Sequence, residues 1–304
     1  MHANKQGNQL LELSIIILSY NTAKLTKETV ESIYSSTHLS SNKFEIIVLD
    51  NASSDTSIEV ISQLCNQYTN LRLVQESTNY GFSRGNNRAV EKAKGKYLLF
   101  LNSDIVVQEN GIDILLDTIK ENDSTHFIGG KLLNQDGSPQ ASCGPFYTLP
   151  VVFGALFLRG DYWGLTRYSP QEPKRVDWVS GACIMTTKES FESVGGFDEG
   201  IFMYMEEIDL LYRAQKKGMS TYFEPRAQFI HLGSASSKGK TYPILQVYRG
   251  FLYFYRKHLT RSHLFALVGM LQLKALIAIA IGKITHNASL VKTYEEAQNI
   301  TRMA

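Results

Sequence analysis

The sequence predicts an α/β fold, a mostly parallel sheet flanked by helices, followed by a helical carboxy-terminal tail. Three observations carry this expectation. Over the first 130 residues, β-rich apolar runs alternate with segments whose apolar residues recur at helical spacing. Several of the apolar runs end directly in acids, amides or hydroxyls. From about residue 237 the chain changes character and becomes basic, aromatic and apolar. Alternating strands and helices build right-handed βαβ units and a parallel sheet. Such sheets bind ligands at the carboxyl ends of their strands, so the residues just after each strand are the ones to inspect.

In order, residues 13–19 (LSIIILS) read as a strand and 22–36 as a helix with Leu25, Val30 and Ile33 on one stripe. Residues 44–49 (FEIIVL) form a second strand ending at Asp50. The stripe Ile58, Ile61, Leu64 and Cys65, behind Ser and Asp caps, predicts a helix over 54–68. A third strand over 71–74, a helix over 82–93, a strand over 97–101, a helix over 111–120 and a strand over 127–130 follow. Residues 134–175 are rich in Gly, Pro, Ser and aromatics without periodicity and read as a long connection. Beyond it we expect a strand over 176–186, helices over 188–194 and 208–217, and short strands over 220–223 and 228–232.

The chain has 304 residues, 43% of them hydrophobic, which sustains a sizeable core and excludes wholesale disorder. The formal charge of +2 argues against a nucleic-acid binder. That small number hides an asymmetry. Residues 232–304 hold ten Lys and Arg against Glu295 and Glu296, a charge of +8, so residues 1–231 carry −6. A basic tail on an acidic body points to an anionic partner such as a membrane surface. Within the tail, residues 264–282 have only Gln272 and Lys274 as polar side chains. The length can span a bilayer, but a central lysine costs about 2.5–3.5 kcal/mol there. Three readings stay open: association with a membrane without crossing it, docking on the protein or a second subunit (a homo-oligomer), and spanning. Cys65, Cys143 and Cys183 are too few and too widely spaced for a disulfide framework or a zinc site, and a reducing compartment fits them. The first apolar run, 10–18, contains Glu12, lacks a small-residue cleavage site, and reads as a strand rather than a leader.

Six places carry side chains suited to chemistry. Ser19-Tyr20-Asn21 ends the first strand and Asp50-Asn51 the second. Asp50 can accept from the N3–H of a uracil or thymine ring and Tyr20 can stack on a base; equally, Asp50 and Asn51 can simply open a turn. In Asn79-Tyr80-Gly81-Phe82-Ser83-Arg84, Gly81 permits a tight turn into a helix and Arg84 offers a fork of donors to a diphosphate. Asn102-Ser103-Asp104 ends the fourth strand, where an acid can hold a divalent cation against phosphates. Glu206, Glu207 and Asp209 open a helix; they either complement its dipole or supply one general base, the two glutamates being expected on different faces. His231 follows an apolar strand, where a lone histidine is as readily structural as a ligand.

Taken together, the blocks IIILSYNT (15–22), VLDNASSD (48–55), NYGFSRGNN (79–87), KGKYLLFLNSD (94–104), DWVSGAC (177–183), GGFDEGIFMYMEEIDL (195–210) and HLGSAS (231–236) resemble glycosyltransferase family 2, with its Rossmann-like GT-A fold. The resemblance is nearest to the bacterial rhamnosyltransferase-like branch. It implies a catalytic domain over 1–236, with a nucleotide-sugar half of about 1–130 and an acceptor half of about 131–236, and a separate membrane-associating tail over 237–304. It also implies roles. Ser19, Tyr20, Asn21 and Asp50 would hold the donor nucleoside, with Asn51 and Arg84 near ribose or diphosphate. Asn102 would stand at the first position of the DxD motif and Asp104 at the last. Asp104 and His231 would hold Mg²⁺ or Mn²⁺, Gly181 would lie beside the sugar, and Glu207, with Glu206 as second choice, would be the base. Asn102 departs from the motif's first acid and leaves one carboxylate fewer. The implied reaction is an inverting transfer of a sugar, rhamnose favoured, from dTDP-rhamnose or a UDP-sugar to a lipid-linked saccharide acceptor. The implied place is the cytoplasmic side of the cell membrane, peripherally bound, in cell-surface polysaccharide biosynthesis. Two other classes compete. A sugar nucleotidyltransferase would want a Gly-rich, basic triphosphate loop after the first strand, which 20–24 does not provide. A non-catalytic saccharide- or nucleotide-sugar-binding protein of the same fold would be consistent with Asn102 but not with the intact acids and His231.

Overall fold

Four strands, β1 (Leu13–Ser19), β2 (Phe44–Asp50), β3 (Leu71–Gln75) and β4 (Tyr97–Asn102), pair in parallel in the order β3-β2-β1-β4. The structure is a computed structural model that describes residues 11–233 and 241–303. Residues 234–236 of the last sequence block, the expected boundary at 236/237, and Lys238 and Lys240 lie outside them. Beyond β4 the sheet continues through β10 (Cys183–Thr187), β6 (Phe127–Leu133) and β11 (Thr221–His231) to β5 (Ile105–Val107). β10 runs antiparallel to both neighbours, β11 parallel to β6, and β5 and the short β8 (Lys174–Val176) antiparallel to β11, completing a nine-stranded, mostly parallel sheet. β7 (Cys143–Gly144) and β9 (Trp178–Val179) form a separate two-stranded ribbon.

Both faces of the sheet are covered, which is why the central strands read as unbroken apolar runs. Alternate residues Ile15, Ile17, Ile46, Val48, Leu99 and Leu101 bury against one layer. That layer is α1 (Ala23–Ser36), α2 (Ser57–Gln67) and α4 (Gly111–Glu121). Ile16, Ile47, Leu49, Leu98 and Phe100 face the other layer, of α3 (Gly81–Val90), α6 (Lys188–Ser193) and α7 (Glu206–Lys216). The tail folds as three helices, α8 (Thr241–His258), α9 (Arg261–Ile284) and α10 (Ala288–Arg302). Tyr248, Phe251, Leu252, Phe254 and Tyr255 of α8 lie in the same core cluster as Phe100, Trp178, Ile208 and Leu211. The tail therefore shares the hydrophobic core of the body.

Several elements differ from the sequence expectation. The long connection contains α5 (Leu149–Phe157), apolar on all sides and so without period, opened by Pro150 where a missing N–H costs nothing. The expected strand over 176–186 is three pieces, because Asp177 turns aside to accept from the Phe146 N–H (2.9 Å) and the chain turns again at Ser180. The two short strands after 220 are one, β11, with an irregularity between Glu224 and Gln228 that accommodates Pro225. The three-residue β5 is too short to announce itself.

Candidate active site

Register brings the candidate residues to one edge. Ser19 pairs with Asp50, and Leu18 with Asn102, so three strand ends stop at one level. Because β5 runs antiparallel to β11, Asp104, just before β5, meets His231, which ends β11; the Leu232 N–H donates to the Asp104 carbonyl at 3.0 Å. Asn102 N–H donates to Ala182 O (3.1 Å), which sets Gly181 just past the end of β4.

Asp50 is fully enclosed. One carboxylate oxygen accepts from the Ser53 N–H at 2.9 Å; the other is buried without a partner among the described residues. An unpaired buried acceptor at a strand end is suited to a ligand N–H. Tyr20 stands half exposed on the rim. The remaining residues expected on the donor side bond to neighbouring loops and strands. Ser19 is buried with its hydroxyl between those of Thr22 (3.2 Å) and Thr26 (2.9 Å). Asn21, at φ 54°, accepts through its side chain from Ser54 N (2.7 Å) and ties the first loop to the second. The Asn51 amide donates to Asn79 Oδ1 (2.9 Å) and Gly81 O (3.2 Å) and accepts from Tyr80 N (3.0 Å). Arg84 lies over the Tyr80 ring (4.6 Å to its centroid) and pairs with Glu199 at 3.5 Å.

Gly81 explains why the Asn79–Phe82 turn matters to the acids. It has φ +77°, and a Cβ there would fall 2.5 Å from the Phe202 carbonyl oxygen. Phe82 N donates to that same carbonyl at 2.7 Å. The turn after β3 and the loop before α7 thus lie backbone to backbone. Gly81→Ala is expected to lower Tm by about 2 °C or more and to disturb the loop that carries the acids; a thermal melt beside an activity assay checks it.

Asp104 Oδ1 and His231 Nε2 lie 3.4 Å apart. Gln140, from the connection, fixes the ring: its Nε2 donates to the His231 carbonyl (2.7 Å), which turns its Oε1 toward His231 Nδ1 at 3.0 Å. The proton of the neutral ring then sits on Nδ1, and Nε2 keeps its lone pair toward Asp104 and the Asn102 amide (3.4 Å). A carboxylate oxygen and an imidazole nitrogen converging in this way suit a cation. Among the described residues no group of three His, Cys, Asp or Glu side chains is placed to hold a metal, so the protein side offers these two donors.

The acid pair is approached through two consecutive left-handed residues, Tyr204 (φ 66°) and Met205 (φ 75°). Non-glycine residues in this region cost about 1–3 kcal/mol each and persist only when their surroundings hold them. The expectation that Glu206 and Glu207 part to different faces is corrected. A Cβ built on Gly181 would lie 3.8 Å from Glu206 Oε1 and 3.6 Å from Glu207 Cβ, so both acids border the same glycine. Each has a buried Oε2 without a partner among the described residues. Burial pushes Glu206 well above the ordinary carboxylate range, and the Glu207 charge pushes it further. Burial raises Glu207 too, opposed by backbone N–H groups, including those of Ile208 and Gly181, and by the Arg167 guanidinium.

Arg167 was not legible in the sequence; it sits in the aperiodic connection. It lies over Trp178 (5.7 Å), donates to Ala141 O (3.1 Å), and keeps a buried Nε without a partner among the described residues. The cysteines take no part: Cys143 and Cys183 are buried, which pushes their thiols up to about 12.

Residues 14–192 match the sequence model described as glycosyl transferase family 2. The chain belongs to this family. Among family relatives, the N-acetylglucosaminyl-diphospho-decaprenol L-rhamnosyltransferase of Mycobacterium tuberculosis (strain ATCC 25618 / H37Rv) is 28% identical over 204 residues, 61% of this chain and 66% of that protein. Rhamnosyltransferase WbbL of Escherichia coli (strain K12) is 30% identical over 228 residues, 71% of this chain and 82% of that protein. The mannosyltransferase PcManGT of Pyrobaculum calidifontis, solved with GDP-Man and Mn²⁺, superposes with a TM-score of 0.58 at 15% identity, covering 96% of this chain and 84% of its own. S. aureus TarS 1–349 gives 0.56 at 14% identity, covering 96% and 92%. These likenesses show the GT-A fold, and because both superpositions cover 96% of the chain they extend into its three carboxy-terminal helices.

Proposed function

We propose that this enzyme transfers a sugar, rhamnose in the first instance, from a nucleoside-diphosphate donor (dTDP-rhamnose or a UDP-sugar) to a lipid-linked saccharide in cell-surface polysaccharide biosynthesis, by a single inverting displacement. The observation that carries this is the buried acid pair at Gly181, on the same edge as Asp50 and the Asp104–His231 pair. The names of the relatives favour rhamnose and a polyprenyl-diphosphate acceptor.

Asp50 takes the N3–H of the base on its unpaired oxygen, and Tyr20 covers the ring from the rim. Asp104 and His231 fit a divalent cation, Mg²⁺ or Mn²⁺, by donor chemistry: a carboxylate and a neutral imidazole with its lone pair directed by Gln140. When bound, such an ion supplies positive charge against the leaving diphosphate. Asn102 contributes an amide where a second acid would add charge. Glu207 accepts the proton of the acceptor hydroxyl as that oxygen attacks the anomeric carbon from the face opposite the diphosphate. Burial and the Glu207 charge hold Glu206 in its neutral form, so Glu207 is the member of the pair that ionises first.

A raised pKa makes the sign of the pH dependence definite. The base must be ionised, so kcat/KM rises with pH through a value above the ordinary carboxylate range. Arg167→Gln removes a cation that favours the ionised form, so the acid limb is expected to move to higher pH; an unmoved limb in a rate–pH profile would exclude that role. The activity is tested with purified protein, Mn²⁺ or Mg²⁺, a polyprenyl-diphosphate-linked acceptor, and dTDP-rhamnose or UDP-sugars in turn. Transfer from at least one donor, abolished by chelation and restored by Mn²⁺, is expected. Turnover with no donor would overturn the reading, and full turnover in chelator would remove the cation from it.

A further inference from the structure

The helix α9 is long and apolar enough to cross a bilayer, yet it is not a free helix. Leu267, Leu271, Ala275, Ala278 and Gly282 are buried along one face. Gly282 is where α10 closes in: a Cβ there would sit 2.8 Å from Val291 Cγ2. Lys274, the cation that a spanning reading would place at the bilayer centre, donates to the Leu156 carbonyl at 2.8 Å, at the last turn of α5. There the partial negative charge of the helix end receives it. A helix docked along its length on the same globule does not span.

The opposite face is uncovered. Phe265, Leu273, Leu276, Ile277, Ile281 and Ile284 are all exposed, Phe265 at 82% and Ile284 at 78%. They recur at helical spacing over about 29 Å, at 1.5 Å per residue, with no charge among them. α8 and α9 contain no Asp or Glu, and the exposed cations Arg261 and Lys283 mark the two ends of the stripe. Beside α5, tied to α9 through Lys274, four more large side chains are exposed: Leu158, Tyr162, Trp163 and Leu165. Tyr and Trp rings favour the boundary between headgroups and acyl chains.

We propose that this face of α9, with the Tyr162–Trp163 loop, is an in-plane surface for an anionic lipid bilayer. Its occupant is argued from charge. An apolar stripe on a helix with cations at both ends and no acid complements acyl chains beneath anionic headgroups, whereas a second copy of this chain would bring the same positive charge against it. Part of the tail's positive charge then has a direction, through the exposed Arg261 and Lys283 at the ends of the stripe. The surface extends the enzymatic reading by giving it a plane on which to meet a lipid-borne acceptor. Its test uses no turnover, so the two readings fail separately.

The test is co-sedimentation of the full chain with vesicles of phosphatidylcholine alone and with added phosphatidylglycerol. Binding to the anionic vesicles is expected, weakened by salt. In the triple variant Leu273→Ser, Ile277→Ser, Ile281→Ser, which changes only exposed positions, it should fall at least 10-fold with Tm retained. The chain has two tryptophans, and Trp178 is 1% exposed against 67% for Trp163. A blue shift of fluorescence on adding anionic vesicles, lost in Trp163→Phe, is therefore also expected. No binding to either vesicle, binding unchanged in the triple variant, or a stable dimer that the triple variant dissociates without any lipid binding would each overturn the proposal.

Discussion

Glu207→Gln is expected to lower kcat by about 10²–10⁴-fold while leaving the KM for the nucleotide-sugar nearly unchanged, because the amide keeps the size of the carboxylate but cannot take the acceptor proton. Glu206→Gln should behave differently. Burial and the Glu207 charge keep Glu206 neutral where Glu207 ionises, so an amide in its place should leave the acid limb of the rate–pH profile where it is while a substantial part of kcat survives. Paired profiles of the two variants assign the base. A complete loss in Glu206→Gln with activity retained in Glu207→Gln would exchange their roles.

The second large effect is expected in Asp209→Asn. Asp209 is fully buried one step beyond the acid pair. It accepts from Arg213 Nε (2.7 Å), Lys257 Nζ (2.8 Å) and His258 Nε2 (2.7 Å), the last two from α8. Lys257 also pairs with Asp198, which accepts from the Tyr253 hydroxyl at 2.9 Å. Burial alone would raise the Asp209 carboxyl, but His258, Arg213 and Lys257 more than reverse this and hold it at about 2. Its stabilising contribution is therefore present above the unfolded value of about 3.9 and lost as pH falls toward about 2. Removing one partner of such a buried cluster leaves uncompensated charge and costs roughly 3–5 kcal/mol. Activity should fall with stability, since α8 also braces the strained turn before Glu206. A Cβ on Gly250 would lie 2.7 Å from Met205 Cγ and 3.1 Å from Tyr204 O. Gly250→Ala tests the bracing alone: kcat is expected to drop more than Tm does, and an unchanged kcat would show that the turn holds itself.

This packing changes how the tail is understood. The charge count of 232–304 points to a basic appendage, but Lys257 and His258 serve Asp209, and Lys274 serves the end of α5. Deleting 248–304 would remove core residues such as Phe251 and Tyr255, so point substitutions on the exposed face of α9 are the informative change.

The amino-terminal half of the fold was legible because its strands are buried on both faces and its helices carry clean stripes; β1 to β4 and α1 to α4 lie within a few residues of where the pattern put them. The candidate residues were legible for a related reason: each directly follows a strand or opens a helix. Legibility failed where side chains from distant segments decide the geometry. Gln140 and Arg167 lie in a segment with no period, and only the fold brings them beside His231 and Glu207. The convergence of both glutamates on Gly181 depends on the left-handed turn at Tyr204 and Met205, which no residue preference announces. Ser19, Asn21 and Asn51 were readable as polar strand ends, but their bonds to other parts of the chain were not.

The central claim is a direct displacement in which a buried glutamate deprotonates the acceptor. It is tested most directly by the anomeric configuration of the product. With the wild-type enzyme, its preferred nucleotide-sugar and a polyprenyl-diphosphate-linked acceptor, NMR of the new linkage should show the configuration opposite to that of the donor. Retention of the donor's configuration would contradict the account.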